Sequence, residues 1–428
     1  MLTRRSLLRL SALTGIAAWS RPSFALGGEG QVPPADRPAP IAALKSMRSL
    51  AKPITNPERL LRLQKAQRLM AEQKVDAIML CQGTSLVYFT GVRWSGGERL
   101  FALVVPRSGH PFVVCPAFEE DRAREQLGLG PFGTNADVLT WHEHENPYAL
   151  VAQGLKKRAI LTGTLGVEET VTFVFSAGVA HAAPALKVVS ATPITAGCRM
   201  VKDAHELALM RLASDVTLRA YKAAYESLQV GMTQADFGRL VSAAHAQLGF
   251  QGGAGMQVGE YSALPHGSVQ PQVIKEGTIL LIDGGCSVEG YASDISRTFV
   301  LGTPSDKMKR VFAINRQAQD AALRAARPGV PCEAVDAAAR RVIANAAFGP
   351  DYKYFTHRLG HGLGMDGHEW PYLVRGNTQP LQPGMTFSNE PGIYIRGEFG
   401  VRVEDDMVIT ETGAELFTPQ SESLERPF

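Results

Sequence analysis

The apolar run Thr278-Ile279-Leu280-Leu281-Ile282-Asp283 ends in a carboxylate, and Tyr291-Ala292-Ser293-Asp294-Ile295-Ser296-Arg297-Thr298-Phe299 carries a second one eleven residues later. Both aspartates interrupt strand-like sequence, where aspartate is depleted. Gly290 lies in the connection and can supply the positive φ of a tight turn. Folding the strands together about the midpoint between Val288 and Glu289 sets Asp283 opposite Asp294, on one face, with Cβ atoms about 4.5–5.5 Å apart. A slip of one residue would undo that pairing. Two carboxylates that close repel each other unless a cation lies between them. Either aspartate taken alone reads as a solvent-facing strand residue, so further ligands decide the matter.

Those ligands come from the C-terminal quarter. His357, His361 and His368 lie within twelve residues that also hold four glycines, a density that suggests a site with close backbone approach. Glu390 stands just before Pro391, which stops regular structure. In Val401-Arg402-Val403-Glu404 the valines point one way and Arg402 and Glu404 the other. A salt bridge from Glu404 to a lysine or arginine is the ordinary alternative. Asp283, Asp294, His361, Glu390 and Glu404 form a hard, oxygen-rich set, suited to a pair of Mn, Co, Fe or Zn ions rather than to a structural thiolate zinc. Other chemistries lack their residues. Gly252-Gly253-Ala254-Gly255 has no Lys-Ser/Thr to make a phosphate loop, and no Gly-x-Ser-x-Gly elbow offers a serine nucleophile. Trp94, Trp141 and Trp370 read as packing residues.

The ordered motifs Leu264-Pro265-His266-Gly267, Leu281-Ile282-Asp283-Gly284-Gly285, Ser293-Asp294-Ile295-Ser296-Arg297-Thr298, Gly360-His361-Gly362-Leu363-Gly364, Asn389-Glu390-Pro391-Gly392-Ile393-Tyr394 and Val401-Arg402-Val403-Glu404-Asp405-Asp406 resemble the pita-bread metallopeptidases. That family holds Xaa-Pro aminopeptidases, prolidases and methionine aminopeptidases, with creatinase as a relative. The likeness is strong over roughly residues 195–415, and residues 57–190 loosely resemble the family's creatinase-like N-terminal domain.

The resemblance implies two divalent metal ions, manganese first and cobalt, zinc or iron as alternatives. Asp294 and Glu404 would bridge them, Asp283 would chelate one, and His361 and Glu390 would complete the other. It further implies that Glu390 acts as general base and that His368 polarises the scissile carbonyl. His266 would serve the leaving group, and His357 with Arg402 would receive the proline side. The expected reaction is hydrolysis of the N-terminal Xaa-Pro bond of peptides or of Xaa-Pro dipeptides. Methionine aminopeptidases usually lack such an N-terminal domain. A non-peptidase small-molecule hydrolase or lyase on the same fold is the alternative, and a non-catalytic binding protein would have lost ligands that are all present here. Relatives of this kind imply a homodimer or homotetramer.

These residues need elements to position them. Leu60, Leu61, Leu63, Ala66, Leu69 and Met70 recur at helical spacing from Pro57 to Lys74, and strand-like segments follow at Ala77–Cys81, Leu100–Val105 and Pro111–Val114. The alternation continues through Ala159–Val167 and Val188–Ser190, which predicts a smaller α/β domain over residues 57–192. From about Asp203 the pattern changes. Helices are expected at 203–218, Thr233–Leu248, Ser305–Ala326 and Cys332–Ala347, with strands at Thr278–Asp283, Ala292–Val300, Thr386–Asn389 and Val401–Thr410. Helices segregated from largely antiparallel strands predict an α+β catalytic domain over 193–428.

Ahead of both domains, Arg4-Arg5 precedes the apolar run Leu10–Trp19, and Ser23-Phe24-Ala25 offers a small-residue cleavage site. Residues 1–25 therefore resemble a twin-arginine signal, implying passage through that export machinery to the periplasm or beyond. Residues 26–56, rich in Gly, Pro and Ala, read as an exposed lead-in. A net charge of +3 with 20% charged residues gives no concentrated basic surface for nucleic acid. No internal apolar run is long enough for a stable membrane anchor. Cys81, Cys115, Cys198, Cys286 and Cys332 form no Cys-x-x-Cys pair and read as isolated buried thiols.

Overall fold

The computed structural model describes residues 36–428, so the signal read over 1–25 and the opening of the 26–56 lead-in lie outside the described residues. Each half is built by period-two burial. In the N-terminal half, strand Ala77–Leu80 sends Ile78 and Leu80 to one core and Ala77 and Met79 to another. Its sheet runs in the order Asp137–Trp141, Phe112–Pro116, Ala102–Pro106, Ala77–Leu80, Gly163–Val167, Leu186–Ser190, with mixed parallel and antiparallel pairs. Helices Asn56–Gln73, Gly83–Thr90, Glu120–Leu129 and Thr192–Arg199 cover one face, and Pro147–Lys157 and Phe173–Ala182 the other. The α/β class is as expected, and the structure arranges it in three layers, helices on both faces of one sheet.

The C-terminal half holds two larger antiparallel sheets, each backed by a helix pair, and a two-stranded ribbon of Gly392–Ile395 and Phe399–Arg402. Helices Ala204–Glu226 and Gln234–Leu248 pack on the sheet of Gln251–Val258, Ile279–Val288 and Ile295–Val300. Helices Asp306–Ala325 and Cys332–Ile343 pack on the sheet ordered Glu369–Leu373, Gly360–Gly362, Thr386–Asn389, Asp405–Ile409, Ala414–Leu416. Asp203 with Glu206 and Thr233 with Asp236 close capping boxes that start the first two helices. Along Ile279–Val288, Leu280 and Ile282 face the first core while Ile279 joins the second. Alternation therefore carries Asp283 onto the face that looks from the first of these sheets toward the second.

Three expectations need correction. The hairpin turn is Glu289-Gly290, both at positive φ (51° and 93°), which is the backbone twist that two-residue hairpins require. The strands therefore register two residues away from the expected alignment, and Asp283 faces Ser296 rather than Asp294. A slip of two keeps the face, so the aspartates still share it. Second, Val401–Thr410 is two strands, Phe399–Arg402 and Asp405–Ile409, which belong to different sheets. Glu404 lies in the crossing, where its amide donates to the Ser296 carbonyl (3.2 Å) and its carbonyl accepts from Arg297 Nη1 (2.8 Å). Third, the lead-in is not wholly exposed, because Ile41 and Ile54 are buried in the core beside helices Ala204–Glu226 and Gln234–Leu248.

The two halves lock together through buried polar groups. Arg62 Nη2 donates to the hydroxyl of Tyr291, three residues before Asp294 in the chain (2.7 Å), and that hydroxyl donates to Glu206 Oε1 (2.7 Å). All five cysteines are buried and unpaired, as expected. Among the described residues no helix is long and apolar enough to cross a membrane.

Candidate metal centre

Five donors from five separate segments meet between the two sheets of the C-terminal half. Ligand atoms of Asp283, Asp294 and Glu404 lie within 4.8 Å of one another, as do those of His361, Glu390 and Glu404. Glu404 belongs to both groups and is 2% exposed. His361 Nε2 stands 3.3 Å from Glu390 Oε1 and 3.8 Å from Asp294 Oδ2. Its other ring nitrogen, Nδ1, donates to the Gly362 carbonyl (3.1 Å). That bond leaves Nε2 facing the carboxylates, where it donates to Glu390 in the cation-free site and offers a lone pair once a metal ion takes the place of its proton.

The electrostatics fit cations. Burial, then Asp283, Asp406 and Glu390, hold Asp294 well above the usual carboxylate range. Burial, Asp294, Glu390 and Asp283 do the same to Glu404. Such a cluster ionises at neutral pH when positive charge is added to it. Burial also pushes Glu390 upward, but its hydrogen bond with His361 and the charges of His357, His361 and Arg402 outweigh that and hold it at about 2. Four buried or half-buried carboxylates around one imidazole nitrogen are a donor set for a pair of divalent metal ions. Cations held there supply Lewis-acid charge that makes water acidic enough to ionise near neutral pH.

Around the donors runs a frame of hydrogen bonds. Arg402 Nη2 pairs with Asp283 Oδ2 (2.6 Å), Nε donates to Ser296 Oγ (2.9 Å), and Nη1 donates to Tyr394 Oη and to the Pro265 carbonyl (both 3.0 Å). Ser296 Oγ stands 2.8 Å from Asp283 Oδ1 and 2.5 Å from Glu404 Oε2, so its single proton serves one carboxylate at a time. Tyr394 donates to His357 Nε2 (2.8 Å), and His357 Nδ1 donates to the Arg358 carbonyl (2.7 Å). Burial lowers His357, against the opposing pull of Glu390. Ser388 Oγ accepts from the His361 amide (3.0 Å) and donates to Glu390 Oε1 (3.2 Å).

Sequence reasoning passed over Ser296 and Tyr394. A signal existed for Ser296, two residues beyond Asp294 on the same strand face. The mistaken register hid that it faces Asp283. Tyr394 lies within the Asn389–Tyr394 motif, and alternation sets it opposite Ile393, which is buried in the core.

His368 is exposed, yet its ring lies on that of His361, 3.6 Å between centroids and 20° from parallel. Burial and the neighbouring His361 push it down to about 4. His266 is less tightly drawn in. It is exposed on the loop after Gly259–Ala263, and its link to the frame is the Pro265 carbonyl bonded to Arg402.

Comparison with known proteins agrees with this geometry. The model of Metallopeptidase family M24 matches residues 208–411, and that of the Creatinase/Prolidase N-terminal domain matches residues 62–201. An Xaa-Pro dipeptidase of Lactobacillus delbrueckii subsp. lactis is 35% identical over 371 residues, 85% of this chain and 98% of that one. The crystal structure of a dipeptidase from Mycobacterium ulcerans superposes with a TM-score of 0.82 at 32% identity, covering 87% of this chain and 99% of that one. A prolidase from Thermococcus sibiricus gives a TM-score of 0.76 at 28% identity, covering 86% of this chain and 98% of that one. The chain belongs to metallopeptidase family M24, in the form that carries a creatinase/prolidase-type N-terminal domain ahead of a pita-bread catalytic domain.

Proposed function

We propose that the chain is a two-metal dipeptidase that hydrolyses the Xaa-Pro bond, with manganese as its first-choice ion. One observation carries the reading: all five donors converge in a chain 35% identical, over 371 residues, to a protein named Xaa-Pro dipeptidase. Asp294 and Glu404 would help hold both cations, Asp283 one of them, and His361 and Glu390 the other. Carboxylates and a single imidazole suit manganese, and a set without thiolates gives softer ions no special advantage.

The chain's own groups then divide the work. Glu390, whose carboxyl its neighbours hold low, takes the proton of the attacking water. Neutral His368, on the solvent side of His361, donates to the scissile carbonyl oxygen as charge develops there. Arg402, paired with Asp283, and the Tyr394–His357 pair form a hydrogen-bonded wall suited to the proline side. His266 meets the leaving group from the exposed loop after Gly259–Ala263.

The test is a panel of Xaa-Pro dipeptides, longer Xaa-Pro peptides and Xaa-Ala controls, run with manganese and after chelation. Dipeptide cleavage that needs metal and favours proline is expected. Release of a free N-terminal residue from longer peptides would move the assignment to an aminopeptidase, and no cleavage of any peptide would end the peptidase reading.

We also propose export to the periplasm or beyond by the twin-arginine route, in a homodimeric or homotetrameric form. Arg4-Arg5, the short apolar run and Ser23-Phe24-Ala25 support the route. Replacing Arg4-Arg5 by Lys-Lys is expected to strand the protein in the cytoplasm, read by cell fractionation, and unchanged export would exclude the route. Light scattering of the purified protein checks the assembly, and a monomer would refute it.

A further inference from the structure

We infer that Arg199 and Lys202, in the segment that joins the two domains, are positioning residues for His368. The inference rests on the role given to His368 above and adds the means by which the N-terminal half sets it. His368 has no hydrogen bond of its own among the described residues. What holds it is the stacking on His361 and the two acidic residues that bracket it, Asp366 and Glu369.

Both brackets are tied to residues outside the catalytic sheets. Lys202 Nζ pairs with Glu369 Oε1 (2.7 Å), and Arg199 Nη2 pairs with both Glu369 Oε2 and Asp366 Oδ2. Thr84, in the helix Gly83–Thr90 of the N-terminal half, donates its hydroxyl to Asp366 Oδ1. Arg199, Lys202 and Glu369 are all buried. Burial pushes the Glu369 carboxyl up, but Lys202 and Arg199 outweigh it and hold the group at about 2. Ion pairs of this kind contribute little net stability because both charges lose their water, whereas their geometry is sharply defined.

The backbone is shaped around the pair. A Cβ on Gly364 would stand 2.4 Å from Glu369 Oε1 and 2.9 Å from Lys202 Cε, so a side chain there would push directly on the buried pair. Glu369 also begins the strand Glu369–Leu373, which pairs with Gly362 beside His361. The Lys202–Glu369 and Arg199–Glu369 bonds therefore fix where the strand starts, and with it where the preceding imidazole lies against His361. Nothing in this arrangement touches substrate or a metal donor. Its effect runs through the histidine.

The test is a double-mutant cycle on the metal-loaded, full-length protein with an Xaa-Pro dipeptide. Arg199→Met is the direct variant. Asp366→Asn is the second, because the Asp366 side chain is 43% exposed and its loss does not threaten folding. Each is expected to lower kcat about 10–100-fold, with bound metal retained, and Arg199→Lys to recover part of the loss. His368→Ala, costing about 10²-fold in the parent, should cost no more than about threefold in either variant background. Independent, multiplying losses, or kcat unchanged while only the melting temperature falls, would overturn the inference. A parent that cleaves no Xaa-Pro peptide would instead sink the functional reading. The inference would then be decided on the zinc-loaded protein by the His368 ring resonance, identified by its absence in His368→Ala. That resonance should lose the ring-current shift of His361 in Arg199→Met and Asp366→Asn; an unmoved resonance would equally overturn the inference.

Discussion

Glu404→Gln is expected to lower turnover of an Xaa-Pro dipeptide by on the order of 10³-fold or more, and to do so without unfolding the protein. Glu404 is the carboxylate common to both donor groups, so its neutralisation removes charge from each. In the cation-free protein that same charge is a liability. Burial and the neighbouring Asp294, Glu390 and Asp283 hold Glu404 well above the usual carboxylate range. A neutral amide of nearly the same shape relieves that repulsion and keeps an oxygen for Ser296 to donate to. The metal-free variant should therefore melt no lower than the metal-free parent.

The difference lies in loading. A cation bound only by the folded state raises stability by about 4 kcal/mol at a thousandfold excess over its dissociation constant. The parent should show such a manganese-dependent rise in melting temperature, and the variant little of it. The pH dependence has a definite sign. Asp294 and Glu404, both raised, hold protons when no cation is present, so loading releases protons and tightens as pH rises. Removing one of these carboxylates should flatten that slope. A variant that binds two ions like the parent and keeps its kcat would remove Glu404 from the centre.

Why the donors were readable while their frame was not follows from distance and from glycine. Asp283, Asp294 and Glu390 stand out locally, as charges in apolar or strand-like sequence. The hairpin register was misread because Glu289-Gly290 is a weaker turn signal than Asn-Gly or Asp-Gly, although both residues adopt positive φ. The error was even, so the face survived while Ser296 was overlooked. Gly360–Gly362 forms a strand although glycine disfavours it, because neighbouring backbone leaves no room for a side chain at Gly360 or Gly362, and at Gly252 the His245 ring and Cys286 Cβ occupy that room. The pairing of Lys202 with Glu369 spans 167 residues and has no local trace. Ile41 was hidden by the Pro- and Ala-rich composition around it, which reads as linker until helices Ala204–Glu226 and Gln234–Leu248 supply its partner surface.

Gly285→Ala is expected to unload the centre from a position that carries no ligand at all. Between the pairs Tyr291–Ala292 and Ile295–Val300 the chain leaves the ladder at Ser293-Asp294, and it does so directly against Gly285. A Cβ there would lie 1.9 Å from the Ser293 carbonyl oxygen and 2.7 Å from its carbon. These are backbone atoms, so no side-chain rotation relieves the overlap and the strand itself must move. Ser293 and Asp294 are poorly placed to yield. The Ser293 hydroxyl is 2.8 Å from that of Thr217 and accepts from the Cys286 amide (3.1 Å), while the Asp294 amide donates to Asp406 Oδ2 (3.0 Å). Displacing this segment carries the Asp294 carboxylate away from Asp283 and Glu404. Overpacking of this kind costs about 1–3 kcal/mol of stability, which should appear as a lower urea midpoint. The larger effect should be on metal. After dialysis, elemental analysis of Gly285→Ala should find well under the parent's content, with activity falling in proportion. Gly413→Ala, where an added Cβ meets nothing within 4 Å, is the matched control and should change neither quantity. If Gly285→Ala kept the parent's metal content, the path of the chain at Ser293-Asp294 would not be what brings the two aspartates to a shared cation.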